Sequence, residues 1–254
     1  MESELEPHPE HSAASEPAPG PFGFWMTTVL AVVTIVLWGV LQSVVLFVYA
    51  QQTNLRLGAA EIDALSTNGF FLGLVTVTTA PFAIFLTWLW VWLRSRSGYA
   101  IGDYLGLKPV SLKTVLIWCA VGVAVAFAAD FAKEALGLPV VSEFVVESYK
   151  TAQPLWLYVL AIAIMAPLWE ELLFRGFVYD GYAKTRALGP IGAILVPAVI
   201  WAVIHMQYEV HDIVTIFVLG LVIGLARWRT ESLYVPVAMH CVLNSIAIIS
   251  VALH

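Results

Sequence analysis

The chain reads as a series of long apolar runs separated by short polar connectors. Seven runs approach the roughly 20 residues that a bilayer-crossing helix needs. They are Phe24–Ala50, Phe70–Leu93, Val115–Ala135, Leu155–Tyr179, Ile191–Met206, Ile213–Trp228 and Leu233–Leu253. The fifth and sixth are short, and Met206 to Asp212 between them predicts a tight turn. The stretch Leu136 to Pro154 reads as a linker between a three-span N-terminal half and a four-span C-terminal half. The expected fold is therefore all-α, a polytopic transmembrane helix bundle of about seven spans.

Composition agrees. Hydrophobic residues make up 60% of the 254 residues and charged residues only 12%, and the mean hydropathy is +0.86. Soluble domains run nearer ~45–50% apolar and ~25% charged. The chain divides into three zones on this reading. Residues 1–21 form an acidic tail, with Glu2, Glu4, Glu6, Glu10 and Glu16 among five prolines. Such a segment buries too little apolar surface to order itself, and it lacks the basic leader of a signal peptide. Residues 22–150 hold the N-terminal transmembrane helices. Residues 151–254 hold all the candidate chemistry.

Basic residues set the expected orientation. Arg94, Arg96, Lys108, Lys113, Lys184, Arg186, Arg227 and Arg229 fall on one side of the bilayer; Arg56, Lys133 and Lys150 fall on the other. The larger set belongs in the cytoplasm, which places the N-terminus inside and the C-terminus outside. The two cysteines, Cys119 and Cys241, lie in apolar runs without metal-ligand spacing and read as packing residues. Gly220 and Gly224 form a small-xxx-small pair that lets a neighbouring helix come close.

Three polar clusters break the apolar runs. Each intramembrane charge costs about 3 kcal/mol on insertion scales, so three of them imply a polar intramembrane cavity with a function. The first is Glu170-Glu171-x-x-x-Arg175. Glu171 and Arg175 share a helix face at i, i+4, so Arg175 can hold Glu171 charged. Glu170 points about 100° away and has no partner in its own helix, which suits a general base. An ion pair that merely fixes helix packing is the competing reading for Glu171 and Arg175. The second cluster is Trp201-x-x-x-His205, on one face. The third is His240-x-x-x-Asn244, whose side chains project the same way. Interhelical hydrogen bonding alone could account for either. His8, His11, His211 and His254 are expected to be non-catalytic.

Together these three motifs resemble the signatures of the CPBP intramembrane proteases, which include the type II CAAX prenyl endopeptidases and bacteriocin-processing proteins. The resemblance covers roughly Leu155 to Ser250. Trp201 departs from the phenylalanine usual in that family. The resemblance implies hydrolysis of peptide bonds in membrane-embedded or lipidated substrates, within the bilayer and without nucleic acid. It implies catalytic roles for Glu170, His205, His240 and Asn244, with Glu171 and Arg175 supporting. A zinc version would use Glu170, His205 and His240 as ligands, with Asn244 as an optional fourth, since one carboxylate with two histidines is a common catalytic zinc set. The sequence leaves glutamate-activated and metal-bound water both open. A silent scaffold or immunity protein, or a proton-coupled transporter with a Glu/His relay, would carry the same polar groups.

Overall fold

The structure is a computed structural model that describes residues 22–96 and 98–253. The acidic tail expected over residues 1–21 lies outside the described residues. Among the described residues every regular element is helical and there is no strand.

Ten helices follow one another: α1 (Phe24–Thr53), α2 (Ala59–Ser66), α3 (Gly69–Ser95), α4 (Ile101–Leu105), α5 (Leu112–Ala135), α6 (Glu143–Lys150), α7 (Leu155–Ala183), α8 (Gly189–Val203), α9 (Val210–Thr230) and α10 (Tyr234–Ala252). Six of them, α1, α3, α5, α7, α9 and α10, are long and apolar enough to cross a bilayer, and α8 is a shorter apolar helix. The bundle thus has about seven spans, as the hydropathy predicts. The linker Leu136–Pro154 is partly ordered, because it contains α6.

Local chemistry sets several boundaries. The Asn68 side chain accepts from the Phe71 backbone N–H at 2.9 Å, and Ser111 accepts from Thr114 N–H at 3.1 Å. Each satisfies one of the amides that a helix start leaves unpaired. α1 ends at Asn54 in the left-handed region, with its N–H returned to the Ala50 carbonyl.

Burial sorts the spans. Half of the apolar window of α7 is buried, and 44% of that of α3, against 11% for α1 and 6% for α5. α7 is therefore the central helix, and α1 and α5 present most of their surface outward. α7 is also irregular. It widens into π turns at Ala161–Met165 and again at Leu172–Val178, on either side of the α-helical turn Ala166–Glu171 that carries both acids. Such π segments are rare and recur at functional sites.

One boundary differs from the hydropathy reading. α8 stops at Val203 rather than reaching Met206. The backbone tightens there into i, i−3 bonds, His205 N–H to the Ala202 carbonyl and Tyr208 N–H to the His205 carbonyl. His205 consequently sits in the α8–α9 connector and not on a helix. Hydropathy missed this because Ile204 and Met206 are apolar whichever way the backbone turns.

Candidate active site

The two acids on α7 take different surroundings, as their 100° separation requires. Glu171 is fully buried and points into the bundle. Its Oε1 accepts from Arg175 Nη1 at 3.0 Å and from His240 Nδ1 at 2.9 Å. Arg175 is equally enclosed. Its Nη2 donates to the Gly220 carbonyl at 3.1 Å, and its guanidinium lies 4.9 Å above the Trp201 ring.

A glycine makes that approach possible. A Cβ at Gly220 would stand 3.0 Å from the Trp201 ring and 3.3 Å from the Ala198 Cβ; one at Gly224 would stand 2.9 Å from the Ile194 side chain. The Gly220–Gly224 pair is thus the seam along which α8 and α9 pack.

Glu170 faces the other way, into a cavity of about 460 Å3. Its Oε2 accepts from the Trp201 indole N–H at 2.6 Å. Trp201, His205, His240 and Asn244 line the same cavity. His205 Nδ1 lies 2.6 Å from the Trp201 carbonyl oxygen. A carbonyl only accepts, so Nδ1 carries the proton and Nε2 of the neutral ring is a lone pair. The same reasoning applies to His240, whose Nδ1 donates to the Glu171 carboxylate. Its Nε2 is left facing the cavity. Asn244 Nδ2 donates to the Ile162 carbonyl at 2.8 Å, inside the first π turn. That bond uses one of its two N–H groups and leaves the other.

The four residues expected to be catalytic therefore meet at one cavity, and Glu171 and Arg175 stand behind it. The sequence reading overlooked four contributors. Trp201 was noted only for its aromatic character. Tyr208 lines the cavity beside His205, with ring centroids 5.8 Å apart. Burial pushes its phenol above the usual tyrosine range, with Tyr158, Glu170 and Asp212 adding to the effect, so it stays a neutral donor. Lys133 and Asp212 close the far end through a buried ion pair at 2.9 Å. Lone charges 79 positions apart gave no pairing signal. The N-terminal helices also contribute wall, through Trp38, Leu72, Val75 and Phe127.

The proposed zinc set meets an obstacle. Among the described residues no three His, Cys, Asp or Glu side chains are grouped so as to hold a metal ion. Trp201 packs against both imidazoles: its ring lies 5.3 Å from that of His205 and 5.1 Å from that of His240, and its N–H occupies Glu170 Oε2. As arranged, these donors do not fit a shared metal.

Fold and site together define an integral membrane protein of many helices, with a buried acid–imidazole centre open to an intramembrane cavity. Residues 152–246 match the Rce1-like family of type II CAAX prenyl endopeptidases. An Escherichia coli protein described as an uncharacterized 24.3 kDa protein is 35% identical over 89 residues. The aligned stretch is 33% of this chain and 39% of that relative, so the chain spans about two fifths of the length of the curated relative it matches. No solved structure matches. The family match ends at residue 246 and takes in Glu170, Glu171, Arg175, His205, His240 and Asn244.

Proposed function

We propose that the protein is an endopeptidase that cuts a membrane-embedded or lipidated peptide with a water activated by Glu170. The observation that carries this reading is the meeting of Glu170, His205, His240 and Asn244 at one cavity, with Glu170 Oε1 lacking a protein donor there among the described residues. Glu170 takes a proton from water, and the His205 Nε2 lone pair shares that water. The hydroxide attacks the scissile carbonyl. The spare Asn244 N–H stabilises the oxyanion, joined by Nε2–H of His240 when that ring, backed by Glu171, carries both protons; removing one such donor costs about 10²–10³ in rate. Glu170 then returns the proton to the leaving amine. The apolar walls from α1, α3, α5 and α10 suit the lipid-soluble part of a substrate.

The orientation from basic residues adds a consequence. The cavity reaches the 136–142 and 204–209 connectors, on the side that bears few basic residues. Under that orientation its open end faces away from the cytoplasm.

The test compares membrane peptides from cells carrying the wild-type protein or Glu170→Gln. Loss of the general base lowers turnover by about 10²–10⁴, so an uncut precursor accumulates in the variant. Identical peptide pools would favour a silent scaffold, and proton-coupled flux in liposomes that survives in the variant would favour a carrier.

A further inference from the structure

Glu170 cannot be a well-aimed base by itself. The last torsion of a glutamate is broad and roughly two-fold, so a carboxylate open to a cavity turns its two oxygens freely. Here one oxygen is held. The Trp201 indole N–H donates to Oε2 at 2.6 Å, and both side chains are more than nine-tenths buried. A donor on an ionised acceptor makes a short, strong bond. With Oε2 fixed, Oε1 is the oxygen presented to the cavity.

Trp201 is itself held from several directions. The Arg175 guanidinium covers one part of its ring at 4.9 Å, the His240 ring meets it edge-on, and Gly220 leaves room for it against α9. Its backbone carbonyl fixes Nδ1 of His205 at 2.6 Å. One residue thus sets both the rotation of the acid and the tautomer of the imidazole beside it. A phenylalanine at this position would keep the packing and lose the bond to the acid.

We propose that Trp201 is a positioning residue of this site: its indole N–H locks the Glu170 carboxylate so that Oε1 faces the attacking water. This rests on the proteolytic reading above, and the test separates the two. Trp201 is replaced by 3-benzothienylalanine, which keeps the ring shape and puts sulfur in place of the N–H; Trp201→Phe is the second variant. Kinetics use a fluorescence-quenched farnesylated CAAX-type peptide in liposomes, with Glu170→Gln alongside. The isostere is expected to unfold at the wild-type temperature, to keep KM, and to lose about 10–100-fold in kcat, the value of one hydrogen bond to a charged group. Ultraviolet resonance Raman supplies a readout independent of cleavage. Subtracting the Trp201→Phe spectrum in each background isolates this indole, and it should report a weaker N–H hydrogen bond in Glu170→Ala than in the wild type.

Unchanged kcat in the isostere, or an indole signal indifferent to Glu170→Ala, overturns the positioning role. A fall in stability with kcat and KM moving together assigns Trp201 to packing and overturns it as well. A reporter cut equally by wild type and Glu170→Gln, or by neither, defeats the proteolytic reading, and the Raman comparison still decides whether Trp201 holds the acid.

Discussion

Removing one member of the Glu171–Arg175 pair should cost far more than removing both. Glu171 is fully buried, Arg175 is nearly so, and their charges meet at 3.0 Å. Truncating either leaves an uncompensated charge in a medium that cannot solvate it, a loss of about 3–5 kcal/mol. Arg175 also gives up its bond to the Gly220 carbonyl and its place over Trp201, so Arg175→Met belongs at the upper end. Against a total stability of about 5–15 kcal/mol, that is a large share. At about 2–4 °C per kcal/mol for a chain of this size, the midpoint falls by roughly 10 °C or more. The double variant Glu171→Leu/Arg175→Met removes both charges and fills the space with apolar atoms. Replacements of this kind are often neutral or stabilising, so its midpoint should return close to wild type.

Activity should not return with it. His240 Nδ1 takes its acceptor from Glu171 Oε1 at 2.9 Å, and the double variant leaves that imidazole without an anion to orient it. Carboxylate–imidazole couples lose about 10⁴ in rate when the acid is neutralised in place, and a loss of at least about 10² is expected here. Thermal unfolding in detergent and peptide cleavage in liposomes, measured on the same four proteins, give a complete double-mutant cycle. A double variant as unstable as the two single losses added together would refute the buried-charge reasoning. Recovery of activity along with stability would refute the role given to Glu171.

Three further outcomes follow from other contacts. Lys133→Met leaves Asp212 buried with its Oδ2 already unpartnered and its near cation gone; a stability loss of about 3 kcal/mol is expected, read as a lower unfolding midpoint, and an unchanged midpoint would show that the pair does not tie α5 to α9. Cleavage should persist after exhaustive chelation and dialysis, with metal analysis of the purified protein showing no stoichiometric ion, because among the described residues no three potential ligands are grouped to hold one. Lys108, by its hydrogen bond and then its charge, holds the Glu231 carboxyl below its usual 4.5. A depressed carboxylate contributes stability above that value and loses it as pH falls through the lower folded value. The pair is exposed, so solvent screening limits the effect to about 0.5 kcal/mol or less. The midpoint difference between wild type and Glu231→Gln should therefore be small at pH 7 and vanish as pH falls below the depressed folded value.

The spans and the reactive groups were visible in the chain because both follow from the same penalty. Lipid admits few charges, so long apolar runs mark helices, and Glu170, Glu171, Arg175 and His240 inside them mark exceptions with a cause. Three things were hidden. Backbone register is one: nothing in the spacing of Ile162 or Phe174 announces a π turn, because the residues stay apolar whichever carbonyl each N–H meets. Geometry across helices is another. The Trp201 indole reaches Glu170 only because Gly220 on α9 lets the ring settle, and a hydropathy profile contains no information about that gap. The third is the end of α8, which placed His205 in a connector.

Those hidden features explain why the acids stand side by side. Adjacent residues on a helix differ by about 100°, too far for one pocket and well suited to two. Glu171 looks into the bundle and holds Arg175 and His240. Glu170 looks into the cavity, with one oxygen tied and the other open. The π turns above and below widen the helix without adding a break, and the Ile162 carbonyl in the first accepts from the Asn244 amide. A regular helix would shift that carbonyl relative to α10 and move Asn244 away from the acids. The irregular backbone of α7 and the paired acids are thus two parts of one arrangement. The first π turn supplies the carbonyl that holds the Asn244 amide of α10, and the Glu171 carboxylate holds the His240 imidazole of the same helix.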